Sequence, residues 1–76
     1  MCMTLPCRVA WIDDVGPEGR IPALCESPMG QVSIDLILVP QARVGDFVLT
    51  HSGFALQVIP ESTARETLRL LGLVQA

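Results

Sequence analysis

The chain has 76 residues, room for one small domain and no second one. Half of its residues are hydrophobic and only 17% are charged, which argues against intrinsic disorder. Eight acidic residues face five arginines and no lysine, for a formal charge of −3, which disfavours a domain that grips a nucleic-acid backbone. Apolar runs such as residues 36–39 reach four residues, far from the roughly 18 to 20 that span a bilayer, so no membrane partner is expected. No basic segment followed by an apolar stretch of about 7 to 15 residues opens the chain, so export is not expected. The expected location is the cytoplasm, where Cys2, Cys7 and Cys25 stay reduced.

Residues 5–12 are rich in Val, Ile and Trp, and Pro6 near their start suits a strand entry or edge. Residues 13–19 hold two glycines, a proline and three acids and read as a turn. Residues 21–26 fit a short second strand, followed by a turn over 27–30. From Val32 the chain alternates, with Val32, Ile34, Leu36 and Leu38 on one face and Ser33 and Asp35 on the other. Ile37 and Val39 break that alternation, which predicts a strand covered on both sides at its far end. A loop over 40–46 leads to residues 47–51 and 54–59, two apolar runs separated by Ser52-Gly53. That spacing reads as a tight β-hairpin with Gly53 at positive φ and His51 beside the turn.

The last segment changes period. Ala64, Leu68 and Leu71 lie at i, i+4 and i+7, with Leu70 widening the stripe, and Glu61 precedes Arg65 by four residues. Pro60 suits a first helical turn, Thr63 and Glu66 have capping-box spacing, and Gly72 marks the stop. The layout is mainly β: a small five-stranded, Greek-key-like barrel over about residues 4–59, closed to hide its edges, with a C-terminal α-helix over about 60–72.

Few side chains offer chemistry. Asp13-Asp14 reads as a pair of solvated turn acids. A set of Ser52, His51 and Asp46 fails as a triad, because adjacent side chains on one strand point to opposite faces. Cys7 and Cys25 fall within strands and read as buried, inert thiols. Cys2, close to a chain end, reads as accessible. Removal of Met1, favoured before a small residue, leaves an α-amine two carbons from the Cys2 sulfur. Such an amine, when protonated, favours the nucleophilic and metal-binding thiolate. A zinc site from Cys2, Cys7, Cys25 and His51 has suitable ligands, but the spacing lacks the close pair that structural zinc sites carry. His51 is a solvated strand-end residue on one reading; on the other, as the chain's sole imidazole, it is a nitrogen ligand or proton shuttle.

Two motifs carry a resemblance: Met1-Cys2-Met3-Thr4-Leu5-Pro6, and Gly45-Asp46-Phe47-Val48-Leu49-Thr50-His51-Ser52-Gly53-Phe54-Ala55. In combination they resemble the HypC/HupF/HybG group of small chaperones for nickel–iron hydrogenase maturation. Glu61, Ala64, Glu66, Thr67 and Leu68 match the group's tail as well. The resemblance covers essentially the whole chain. It implies a five-stranded OB-like barrel with a C-terminal helix and no independent enzyme activity. It further implies a transient iron cargo bearing carbon monoxide and cyanide, written Fe(CN)2CO, with no permanently bound cofactor. The implied partners are a HypD-type iron–sulfur scaffold protein and the hydrogenase large-subunit precursor. Carried over residue by residue, Cys2 contacts the iron or the scaffold's thiol, and His51 is its helper. Pro6, Gly53 and Phe54 occupy motif positions, and Met3 and Leu5 are expected as apolar docking anchors. Cys7 departs from the group by standing where a glycine or other small residue is expected, and Pro60 by replacing an Asp or Asn cap. The competing readings are an OB-like barrel that binds single-stranded nucleic acid and a small Cys/His zinc protein. The first needs a basic groove with stacking aromatics, and the chain has only Trp11, Phe47 and Phe54.

Overall fold

The structure, a computed structural model, describes residues 5–72. Five strands are present: β1 (Leu5–Ile12), β2 (Pro22–Ser27), β3 (Gly30–Asp35), β4 (Phe47–His51) and β5 (Phe54–Ile59). One helix follows, α1 (Glu61–Leu70), and a short 3-10 turn, Pro17–Gly19, lies between β1 and β2. The strands close in the order β1-β2-β3-β5-β4, with β4 returning to β1, which is the OB-like barrel expected.

Pairing is antiparallel except between β3 and β5, whose parallel contact is one residue pair, Asp35 with Phe54. A backbone hydrogen bond from the Asp35 N–H to the Gly53 carbonyl (2.9 Å) reinforces it. Two register shifts help the sheet to bend shut, between Val9 and Trp11 on β1 and at Leu49–Thr50 on β4. The second has a clear consequence on β5. Ala55 faces the core, Leu56 and Gln57 both face out, and Val58 turns back to the core. Ile59 then falls on the outer side, just before α1.

The barrel core holds Cys7, Val9, Ala23, Cys25, Ile34, Val48 and Ala55 from the strands, joined by Leu36, Val39 and Ala42 from the β3–β4 connection. Period two accounts for the strand set, because alternate side chains point inward. Helix α1 packs on β1 and β4 with Ala64 and Leu68 buried. Pro6 faces away from its neighbour Cys7, onto this laminated outer side. It is among the largest fully buried side chains, less than 2% exposed.

Several sequence expectations are corrected. The third strand ends at Asp35 and does not run on to Val39. The Asp35 carboxylate accepts the N–H groups of Ile37 (2.9 Å) and Ile21 (3.0 Å), turning the chain out of the sheet. Two successive i to i+3 hydrogen bonds follow, Val39 N–H to Leu36 O and Ala42 N–H to Val39 O. They bury Leu36, Val39 and Ala42 at three-residue spacing and leave Leu38 59% exposed. The second strand runs one residue later than expected, from Pro22 to Ser27. The capping box is absent: Pro60 is the N-cap and makes no side-chain cap bond, while Glu66 pairs with Arg69. The apolar stripe of α1 stops at Leu68. Leu70 and Leu71 are exposed because the helix ends there, with Gly72 at φ +75°. The Glu61–Arg65 pair is present at 2.6 Å. Both hairpin residues, Ser52 (φ +52°) and Gly53 (φ +83°), take positive φ, the conformation of a type I′ turn.

Candidate functional site

Cys2 and Met3 lie outside the described residues. The chain enters the barrel at Leu5, which pairs with Thr50, and His51 is the next residue on β4. Leu5 and the β4–β5 hairpin therefore lie at one end of the barrel. His51 is exposed there and pairs in register with Phe54, whose ring is 41% exposed. Gly53 completes the hairpin, pinned to the end of β3 by the Asp35–Gly53 hydrogen bond.

An open pocket of about 350 Å³ lies at the same end. One wall is made by Leu5, Cys7 and Thr50 from β1 and β4, with Gly53 from the hairpin. The opposite wall is made by Val32, Ser33 and Ile34 of β3 and by the Ser27 and Met29 turn. The Thr50 hydroxyl donates to the Leu5 carbonyl (3.3 Å) and lies 3.6 Å from the Cys7 sulfur. Sequence reasoning had given Thr50 no role. Its signal was its place beside His51, a β-branched hydroxyl at a half-buried strand end.

The two described thiols are unsuited to metal or nucleophilic work. Burial pushes the Cys7 thiol up, against a smaller opposing effect of its contact with Thr50. Burial, with Cys7 adding to it, pushes Cys25 up to about 12. Both stay protonated at neutral pH, as expected for core cysteines.

Two readings are corrected by this arrangement. The Cys/His zinc site does not assemble: Cys25 is fully buried in the barrel, His51 is exposed at its end, and no group of three His, Cys, Asp or Glu able to hold a metal occurs among the described residues. Asp46 precedes β4 and His51 ends it, a separation of about 16 Å at 3.3 Å per residue, in agreement with the rejection of a triad from the sequence. Pro6 is withdrawn from the partner-contact set, because its ring is fully buried on the side of β1 that α1 covers. The nucleic-acid reading also loses ground, since Arg8, Arg65 and Arg69 each pair with a glutamate.

Fold and site together define a small OB-like barrel protein in which Leu5, Thr50 and Gly53 line one open, largely apolar pocket, with His51 and Phe54 beside it. Comparison with known proteins goes further. A family model described as HupF/HypC family matches residues 1–71. A hydrogenase maturation factor HypC from Azotobacter chroococcum mcd 1 is 36% identical over 72 residues, covering 93% of this chain and 79% of its own length. One from Escherichia coli (strain K12) is 39% identical over 77 residues with the same coverages. Another, from Helicobacter hepaticus (strain ATCC 51449 / 3B1), is 37% identical over 70 residues, covering 92% and 77%. The chain belongs to the HupF/HypC family. Among the described residues no helix is long and apolar enough to cross a membrane.

Proposed function

We propose that the protein is a cytoplasmic chaperone of nickel–iron hydrogenase maturation and has no enzyme activity of its own. It carries or helps assemble the Fe(CN)2CO group with a HypD-type scaffold and passes it to the large-subunit precursor through Cys2. The observation that carries this reading is the match over nearly the whole chain to relatives named hydrogenase maturation factor HypC. Elimination among the thiols supports the choice of Cys2: Cys7 and Cys25 are buried and held protonated, leaving Cys2 as the sulfur for the work.

Function as a carrier requires release. A closed four-ligand site holds its metal as part of the fold, whereas one thiolate with one or two weak helpers leaves positions open for exchange. Low-spin ferrous iron with strong-field ligands is a soft partner for a thiolate. Handover then exchanges one thiolate for another on iron. The Fe–S bond to Cys2 breaks as one to the recipient's cysteine forms, with no change in oxidation state. His51, exposed one residue from the partner of Leu5, is the helper, as a nitrogen ligand or as the base that takes the incoming thiol's proton. Leu5, Phe54 and the Gly53 turn form the partner-facing surface around it, and Met3 serves as a further apolar docking anchor.

The test is anaerobic co-purification with the scaffold and infrared spectroscopy of the cyanide and carbonyl bands, comparing wild type with Cys2→Ala and His51→Ala. Cys2→Ala is expected to keep its circular dichroism and thermal midpoint, to lose the bands and to abolish hydrogenase maturation. Normal maturation in Cys2→Ala overturns the reading.

A further inference from the structure

The outer face of β1, β2 and β3 is continuous with the β4–β5 hairpin. Ile12, Ala23, Ile34 and Ala55 pack toward the core, so their strand neighbours Asp13, Pro22, Asp35 and Phe54 point out. These four lie in one row across the barrel. The Asp13 N–H donates to the Pro22 carbonyl (2.8 Å), Pro22 pairs with Asp35, and Asp35 pairs with Phe54. At about 4.8 Å between neighbouring strands, Asp13 stands about 14 Å from Phe54. A second row runs beside the first, with Trp11 opposite Leu24 and Leu24 opposite Ser33.

Two properties mark this face for a partner. The first is apolar: Trp11, the chain's sole tryptophan, is 52% exposed, and Pro22 and Phe54 are exposed with it. The register shift after Val9 leaves Ala10 and Trp11 both outside, between inward Val9 and Ile12. An exposed tryptophan on a sheet face is the residue type that anchors protein contacts. The second is charge. The loop that follows Trp11 holds Asp13, Asp14 and Glu18 against Arg20, all exposed, for a local charge of −2. Arg8, farther along the same face, is paired with Glu26. In OB-like barrels ligands lie on the β2–β3 face, between the β1–β2 and β4–β5 loops. Here the loop carboxylates repel a phosphate backbone, and a basic protein segment is the complementary occupant. Arginine suits the site best. Its guanidinium stacks on an indole and pairs with a carboxylate, and Asp13 is two residues beyond Trp11 on the same face.

We propose that this face binds a basic, arginine-bearing segment of the HypD-type scaffold, laid from Phe54 across Pro22 to Trp11 and Asp13. The proposal rests on the carrier reading above and extends the partner contact from the hairpin to the β1–β2 loop. A span of about 14 Å takes about four residues of extended chain. Trp11 is the anchor, and Asp13, Asp14 and Glu18 steer the approach. Exposed ion pairs speed encounter and are individually weak, which suits a carrier that must leave its loading partner with the cargo aboard.

The experiment titrates the full chain with the purified scaffold by calorimetry, comparing wild type, Phe54→Ala, Trp11→Ala and the double variant Asp13→Asn/Asp14→Asn. The substituted residues are all exposed, and circular dichroism is expected to be unchanged. Trp11→Ala should weaken binding by about tenfold or more. The double variant should weaken it by about fivefold at low salt, with the gap to wild type closing at about 0.5 M salt. The salt dependence of wild-type binding tests the charges without any substitution, and salt-independent affinity overturns the proposal. Wild-type affinity in either Trp11→Ala or the double variant also overturns it, and a loss in Phe54→Ala then leaves the carrier reading standing. Losses seen only with the large-subunit precursor, titrated in parallel, overturn the choice of the scaffold as occupant. Failure of wild type to bind either protein overturns the carrier reading and this proposal with it.

Discussion

Asp35→Ala is the most direct test of how the barrel is closed. The Asp35 carboxylate accepts two backbone N–H groups, from Ile21 (3.0 Å) and Ile37 (2.9 Å), and its own N–H reaches Gly53. Removing the carboxylate deletes two charge-assisted bonds and leaves the Ile21 N–H without its acceptor. At about 1.5 kcal/mol per bond the loss is about 3 kcal/mol. A chain of this length has about 4 to 11 kcal/mol in total, so the loss is a large share. Asp35→Asn keeps an acceptor oxygen in place and forfeits only the charge, for a loss of about 1 kcal/mol. Urea unfolding, followed by circular dichroism and by the fluorescence of Trp11, reads both. With a slope of about 1 kcal/mol per molar, the midpoint of Asp35→Ala should fall by about 3 M and that of Asp35→Asn by about 1 M. A change within about 0.5 kcal/mol for Asp35→Ala, the range of an ordinary surface substitution, would refute the assignment of Asp35 as the strand stop.

Leu36→Ala should cost about 2 to 5 kcal/mol in the same unfolding assay, because its side chain is 1% exposed at the centre of the core. Gly53→Val places a β-branched residue at φ +83° and should cost at least about 1 to 2 kcal/mol, seen as a lower thermal midpoint. The buried thiols give stability an alkaline limit. Cys25 ionises near 9 in the unfolded chain and near 12 in the fold, so its contribution is complete below pH 9. As pH rises toward 12 the unfolded state gives up its proton first, and stability falls by up to about 1.4 kcal/mol per pH unit for this thiol. Urea titrations between pH 8 and 11 should show that fall, with a shallower slope in Cys25→Ala.

The elements bounded by turn residues were legible before any coordinates. β1, β4, the Ser52-Gly53 turn and β5 fall on the expected residues, because apolar, β-branched runs between glycine- and proline-rich turns mark where strands begin and end. The connection after β3 was not legible. Leu36, Ile37, Leu38 and Val39 are apolar whether strand or turn, and the feature that decides is a hydrogen bond from the Asp35 side chain to a residue two positions on. The stripe on α1 was overextended for a related reason: spacing places Leu71 on the apolar face but does not say where the sheet beneath it ends. At the site, the motif string identified the hairpin and its imidazole. Ser33 was invisible, because its place at the pocket depends on how far β3 and β5 overlap, which no local pattern encodes.

Pro6 and Cys7 are consecutive on β1, one beneath α1 and the other on the pocket wall. A single backbone thickness is all that separates the helix lamination from the recess. Any load that lifts or tilts α1, such as a protein seated against its exposed flank, bears on the strand whose reverse side shapes that recess. Grip at one surface and the width of the opening at the other are thus mechanically joined across one ribbon of chain.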